Sequence, residues 1–252
     1  MWAMVLEIIF IIVVLAAVLT ALGLTRINLS HQSSVEGIED PQAAQAYNRI
    51  SRWPQFRLLR RLIVAKLAKY GPSGTLADIG CGPGLLSTLI ASRFPNLHVL
   101  GIDISDEMIR EAALNASSLG LSNRVEFHKG DVNNLPVPDG ALDFAVSTLS
   151  LHHWSDPVHG LNEIHRVLKN DGQLLLFDLR RDPRRFFYWL IRFAQAFVVP
   201  SGLRRINEPL GSLRASYTPP ELEGLFKQSR FKVWKIGGGA GWVLVWASKC
   251  GP

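Results

Sequence analysis

Nine residues, Leu76 to Gly84, read LADIGCGPG, and a second acid follows at Asp103 in VLGIDIS. An apolar run ending at Asp78, glycines at 80, 82 and 84, and a helical pattern from Leu85 to Arg93 predict strand, tight turn and helix in that order. Glycine at such a turn lets backbone approach a ligand closely, because no side chain stands in the way. Asp103 falls where the next βα unit ends, and a carboxylate there can accept hydrogen bonds from both hydroxyls of a ribose. The chain is therefore expected to be α/β, with a nucleoside at the carboxyl ends of its strands.

The spacing separates two kinds of nucleotide site. A dinucleotide fingerprint needs G-x-G-x-x-G, whereas here the third glycine comes one residue early, at Gly84, and Leu85 takes the sixth position. Beyond Asp103 the alternation continues. Ser105 is the expected N-cap of a helix through Leu119, with Met108, Ile109, Ala112 and Ala113 on its apolar side. Arg124 to His128 and Leu142 to Thr148 read as strands, and Thr218 with Pro219 opens a last helix. Two more strands, Lys232 to Ile236 and Trp242 to Ala247, flank a glycine run. Upstream, Gln42 to Tyr70 reads as a helix pair broken at Pro54.

Together with LSLHHWSDPVHGLNEIHRVLKNDGQLLLFDL over Leu149 to Leu179, these motifs make residues 40 to 249 resemble the class I S-adenosylmethionine-dependent methyltransferases of the type 11 group. The resemblance implies a Rossmann-like, mostly parallel seven-stranded sheet closed by a C-terminal antiparallel hairpin, and S-adenosyl-L-methionine as cofactor. It places Gly80, Cys81, Gly82 and Gly84 in the turn under the methionine part, with Asp78 near its amino group and Asp103 on the ribose. It further implies that Ile104 packs on the adenine, that Asp131 accepts from the exocyclic amine beside the backbone of Val132, and that Ser147 and Thr148 face the crevice. Tyr47 takes the position that often closes this pocket. Asp131 also reads as a turn-capping carboxylate, and Cys81 as a small residue in a crowded turn.

Methyl transfer is an in-line displacement, so alignment supplies much of the acceleration, and a base is needed only where the acceptor must lose a proton. His152, directly after the fourth strand, is the candidate base; a structural turn residue is the competing reading for it and for His153. No spacing of cysteine, histidine and carboxylate makes a metal site. Two cysteines, Cys81 and Cys250, do not form a disulfide framework.

Ala3 to Leu24 carries one charge, Glu7. At about 1.5 Å per residue it reaches roughly 33 Å, close to the ~30 Å hydrocarbon thickness. A basic n-region is missing, which favours a retained anchor over a cleaved signal or a buried core helix. Arg26 and a basic cluster follow it, so the positive-inside rule puts the catalytic domain in the cytoplasm as part of a single-pass membrane protein. The expected organisation is an anchor over 1–25, a linker over 26–40 and a methyltransferase domain over 41–252, with a basic lid insertion at 180–214.

The formal charge of +6 is partitioned: residues 71–179 hold 6 Lys/Arg against 13 Asp/Glu, 26–70 hold 8 against 3, and 180–214 hold 8 against 2. Basic segments beside an anchor favour anionic headgroups. If 184–199 is helical, Arg185, Tyr188, Arg192 and Gln195 make one polar stripe and bulky apolar residues cover the rest. Such a helix suits the membrane interface; the alternative is a lid buried against the domain or a dimer partner. Basic residues alternating with bulky aliphatics do not make a nucleic-acid surface. The expected function is a membrane-anchored methyltransferase for a hydrophobic or lipid-like acceptor, with a tethered enzyme for a soluble acceptor or a non-catalytic assembly factor as alternatives.

Overall fold

The structure is a computed structural model and describes residues 11–14, 20, 23–33, 39–205 and 207–250. Strands β1 (Gly74–Ile79), β2 (Leu97–Asp103), β3 (Val125–Lys129), β4 (Leu142–Thr148), β5 (Leu168–Leu179), β6 (Val233–Gly238) and β7 (Trp242–Ser248) form one sheet in the order β3-β2-β1-β4-β5-β7-β6. The first five run parallel, and β7 lies antiparallel between β5 and β6. The order reverses between β1 and β4, and ligands of open α/β sheets bind at the carboxyl edge of such a switch point.

Local chemistry starts the helices where the sequence predicts. Asp40 accepts from the N–H groups of Gln42 and Ala43 at 2.7 and 3.0 Å and opens α1 (Pro41–Ser51); α2 (Pro54–Ala68) follows the predicted break. Gly84, in the left-handed region, precedes α3 (Leu85–Arg93), and the Ser105 hydroxyl accepts from Met108 N–H at the start of α4 (Asp106–Ser118). On α4, Met108, Ala112 and Ala116 are buried, but Ala113 is exposed; the helix turns its small buried face one position away from the expected stripe. Asp156 caps α5 (Pro157–Val167), and Thr218 with Glu221 forms the capping box of α9 (Pro219–Gln228).

Two apolar cores flank the sheet. Ile63, Leu67 and Ile90 from α2 and α3 cover one face, and Leu161, Ile164, Leu222 and Phe226 from α5 and α9 cover the other. Between β5 and α9 the chain inserts α6 (Arg185–Phe197), α7 (Ser201–Arg205) and α8 (Leu210–Ala215). A third, smaller core joins Val199 and Leu203 of this insertion to Ala46 and Ile50 of α1, so α1 and the insertion form one cap over the carboxyl edge.

Residues 25–32 differ from the expected free linker. Ile27 N–H donates to Pro183 O and Arg185 N–H to Thr25 O, each at 3.0 Å, while Gln32 N–H reaches Arg214 O at 3.3 Å. The reason is Arg26, whose guanidinium donates to Asp182 O at 2.8 Å and Gly239 O at 3.1 Å, satisfying two loop carbonyls at once. The segment is a strap bound along the insertion. The expected anchor over 3–24 lies mostly outside the described residues, and among those described no helix is long and apolar enough to cross a membrane.

At Gly84 both backbone and space demand glycine: φ is +68°, and a Cβ would stand 2.7 Å from Phe127 and 2.8 Å from Ala112. Gly120 has the same φ but open space around it. Gly120→Ala should therefore cost only the left-handed backbone term of about 1 kcal/mol. Gly84→Ala should cost about 1–3 kcal/mol beyond that, through overpacking. Urea unfolding of both variants measures the difference, and equal losses would refute it.

Candidate active site

The turn after β1 is tied to the end of β2. Gly80 and Cys81 N–H both donate to Ile102 O, at 2.8 and 3.0 Å, and Gly82 N–H donates to Asp103 Oδ2 at 2.8 Å. The other carboxylate oxygen of Asp103 accepts from Ser105 N–H at 3.0 Å. Burial pushes the Asp103 carboxyl up from its ordinary range, against the pull of these backbone donors. Gly80, Gly82 and Gly84 all have positive φ. A Cβ on Gly80 would collide with the Ser150 hydroxyl at 2.0 Å, whereas one on Gly82 would meet only Tyr47 Cε1, at 3.7 Å. The surface of Gly82 is thus open toward Tyr47, which lies across it.

Cys81 is buried in the same turn, its thiol pushed well up by burial and by the charges of Asp103 and Asp78, which suits the small-residue reading. Asp78 is buried and accepts from the Ser87 hydroxyl of α3 at 2.6 Å. Burial raises its carboxyl to about 7, with the Ser87 hydrogen bond opposing and the charge of Asp103 adding. A cationic ligand group would stabilise both carboxylates. Ile104 is half-buried immediately after β2. Asp131 accepts from Asn133 N–H at 2.8 Å, so its turn-capping role is real whatever else it does, and Val132 beside it is buried.

At the end of β4, Ser147 is buried, and its hydroxyl donates to Ile79 O at 2.8 Å. It braces β1 against β4 where the sequence reading has it facing the crevice. Its neighbour Thr148 has a buried hydroxyl oxygen with no protein partner. Leu149 then adopts φ 55°, a left-handed conformation costing on the order of 1–3 kcal/mol for a non-glycine residue. This bend delivers Ser150 onto Gly80 and His152 into the cap, and such strain persists only where neighbours enforce it.

His152 and Asp178, at the end of β5, form a pair that sequence reading misses. His152 Nδ1 lies 2.6 Å from Asp178 Oδ1, and each side chain is 2 % exposed. Asp178 also accepts from the N–H groups of His152 at 3.1 Å and Leu179 at 2.7 Å, which fixes its carboxylate on the imidazole. Burial alone would lower the imidazole pKa, but the charge and hydrogen bond of Asp178, joined by the charge of Glu208, hold it above the ordinary value. His152 Nε2 is buried without a protein partner. Glu208, from the insertion, is pushed up by burial and accepts from the Ser212 hydroxyl of α8. Tyr47 is raised to about 12 by burial first, then by the charges of Glu208 and Asp103.

The signals for these partners were faint. Asp178 is one acid interrupting the buried run LLLFDL, and Glu208 is one of two acids in the basic insertion. A shallow cavity of about 460 Å³ lined by His31, Tyr217 and Glu221 contains none of the crevice residues. The arrangement offers a glycine cradle with two carboxylates on one side and an oriented imidazole with an unsatisfied nitrogen on the other. Glycines at positive φ, two carboxyls raised by burial and buried polar atoms without a protein partner on Thr148 and His152 are a donor and acceptor set that fits S-adenosylmethionine.

Because Asp78 titrates near 7 when folded and near 4 when unfolded, the folded apoprotein holds a proton that the unfolded chain has released across that window. Its contribution to stability therefore falls as pH rises from about 4 to 7, by up to about 1.4 kcal/mol per pH unit. Asp78→Asn should remove this slope; denaturant titrations of both proteins between those limits check it, and parallel curves would refute it.

Comparisons with known proteins bear on the family and the fold. Residues 77–176 match the family description "Methyltransferase domain". The chain is 39% identical over 106 residues to an uncharacterised transposon-encoded protein of Streptomyces fradiae, covering 42% of this chain and 30% of that one. It is 30% identical over 145 residues to a ubiquinone/menaquinone biosynthesis C-methyltransferase of Citrifermentans bemidjiense, covering 57% and 61%. The chain thus spans less than two thirds of either relative. A crystal structure of an S-adenosylmethionine-dependent methyltransferase from Aquifex aeolicus superposes with a TM-score of 0.61 at 22% identity, over 82% of this chain and 97% of that one, which shows the fold. Residues 77–176 thus match a methyltransferase domain, within a fold shared with a class I S-adenosylmethionine-dependent methyltransferase.

Proposed function

We propose that this protein transfers a methyl group from S-adenosylmethionine to a hydrophobic, membrane-borne acceptor, with His152 as the general base. The observation that carries the reading is the buried His152–Asp178 pair, whose free Nε2 lies under a cap built from α1 and the insertion. When bound, the cofactor supplies an electrophilic methyl carbon. Asp178 keeps Nδ1 protonated and oriented, so Nε2 is the nitrogen that takes the acceptor's proton. The charge of Glu208 acts on both His152 and Tyr47. His152 also fills a structural position, since its ring lies 4.1 Å from that of His153, but a purely structural histidine has no need of an unpartnered buried nitrogen.

A membrane setting is supported by the apolar stretch 3–24 and by the names of quinone-pathway relatives, whose acceptors are theirs and serve here only as a guide to chemical class. In this reading the stretch anchors the protein as a single pass with its catalytic domain in the cytoplasm.

Incubating membranes with labelled methyl donor tests the acceptor class: label should partition into organic solvent, and label confined to water-soluble product would refute a lipid-like acceptor. His152→Ala should lower turnover by about 10²- to 10⁴-fold while leaving cofactor affinity near that of the unmodified protein. Since deprotonated His152 is the active form, activity should rise with pH through a value above the ordinary imidazole pKa. Asp178→Asn should move that limb to lower pH as well as reduce turnover. A limb that stays in place would reduce Asp178 to a packing role.

A further inference from the structure

Helix α6 splits its expected polar stripe, Arg185 and Arg192 being exposed and the other two residues turned inward. Tyr188 and Gln195, from the polar stripe, are half-buried toward the domain, and Phe187 lies so close to Gly241 that a Cβ there would stand 2.1 Å from its ring. The outward side carries Phe186, Trp189, Leu190, Phe193 and Phe197, 45 to 77 % exposed. The basic excess is also divided. Arg180 and Arg181 are buried, paired with Asp182 and Glu221, while Arg185, Arg192, Arg204 and Arg205 are exposed around the apolar side. Residues 185–205 contain no acid, and the Arg192 guanidinium sits 5.6 Å from the centroid of the Trp189 ring.

What covers this face follows from where the N-terminal chain enters. Residues 25–27 run antiparallel to 183–185, and the Arg184 guanidinium donates to Gly23 O, so the apolar stretch 3–24 ends at the first turn of α6. Its described helical residues Ile11 to Val14 are themselves 43 to 61 % exposed, so they do not shelter on α6. A second copy of the chain would set the same arginine fringe against itself, which costs energy. Anionic headgroups match that fringe, and aromatic rings favour headgroup depth.

We propose that the outer face of α6 is a docking surface for an anionic lipid bilayer, with Trp189, Phe193 and Phe197 entering the headgroup layer. The inner face rests on α8, which in turn packs on the turn Leu151–His153, so docking turns the His152 side of the crevice toward the lipid. The proposal deepens the reading of a membrane-borne acceptor and explains how such an acceptor reaches His152.

The test uses the full chain in equimolar phosphatidylglycerol and phosphatidylcholine vesicles whose acyl chains are brominated. Trp189 is one of seven tryptophans, so its signal is the difference between the unmodified protein and Trp189→Phe, a mild change at an exposed site. The Trp189 component should be quenched by brominated lipid. Quenching should fall by roughly twofold or more in phosphatidylcholine alone or at about 1 M salt, where the arginine contribution is screened. A Trp189 component that brominated lipid does not quench would overturn the proposal, whether water or a second copy covers it. Unquenched Trp189 with label still entering lipid would leave the methyltransferase reading standing. Quenched Trp189 with label only in water would sustain the docking surface and sink the lipid-like acceptor.

Discussion

The carboxylate of Asp103 is the joint on which the site depends. One oxygen holds Gly82 N–H at 2.8 Å and the other holds Ser105 N–H at 3.0 Å, so a single group fixes both the glycine turn after β1 and the N-terminus of α4. Hydrogen bonds to a charged acceptor contribute about 1.5–3 kcal/mol each, enough to hold a turn whose glycines all sit at positive φ. Burial keeps that charge costly, and a ligand offering further donors would lower the cost. The loop after β4 depends on the same turn, because only the missing side chain of Gly80 lets Ser150 lie against it.

From this joint the chemistry divides in two. One side is built from the ends of β1 and β2 and carries the carboxylates of Asp78, which is buried, and Asp103, which is half-buried. The other side is built from the ends of β4 and β5 beside α1 and the insertion, where Asp178 pairs with His152 and the charge of Glu208 acts on both His152 and Tyr47. The strap at 25–32 ties the N-terminal chain to the insertion, so whatever holds the apolar stretch also orients the insertion.

Much of this was legible in the sequence because it is written in local chemistry. The glycine turn, the Ser105 and Thr218 caps, the proline break at 54 and the closing hairpin each depend on a few adjacent residues, and each is found where expected. What escaped is what depends on distant pairs. Asp178 meets His152 across 26 positions, and Arg26 meets Asp182 across 156, and no periodicity announces either contact. Which side of α6 meets the domain was open in the sequence, because the missing side chain of Gly241, 54 positions beyond Phe187, is what lets that ring pack inward. Ser147 was expected to face the crevice because it ends a strand there, yet its hydroxyl is spent on Ile79 O.

The central claim is that the cradle at Gly82 and Asp103 binds S-adenosylmethionine, and titration calorimetry measures it directly. The protein should bind the donor at one site, and Asp103→Ala, checked for an unchanged near-ultraviolet dichroism spectrum, should bind at least roughly tenfold more weakly. No binding by the unmodified protein, or equal affinity in the variant, would contradict the account.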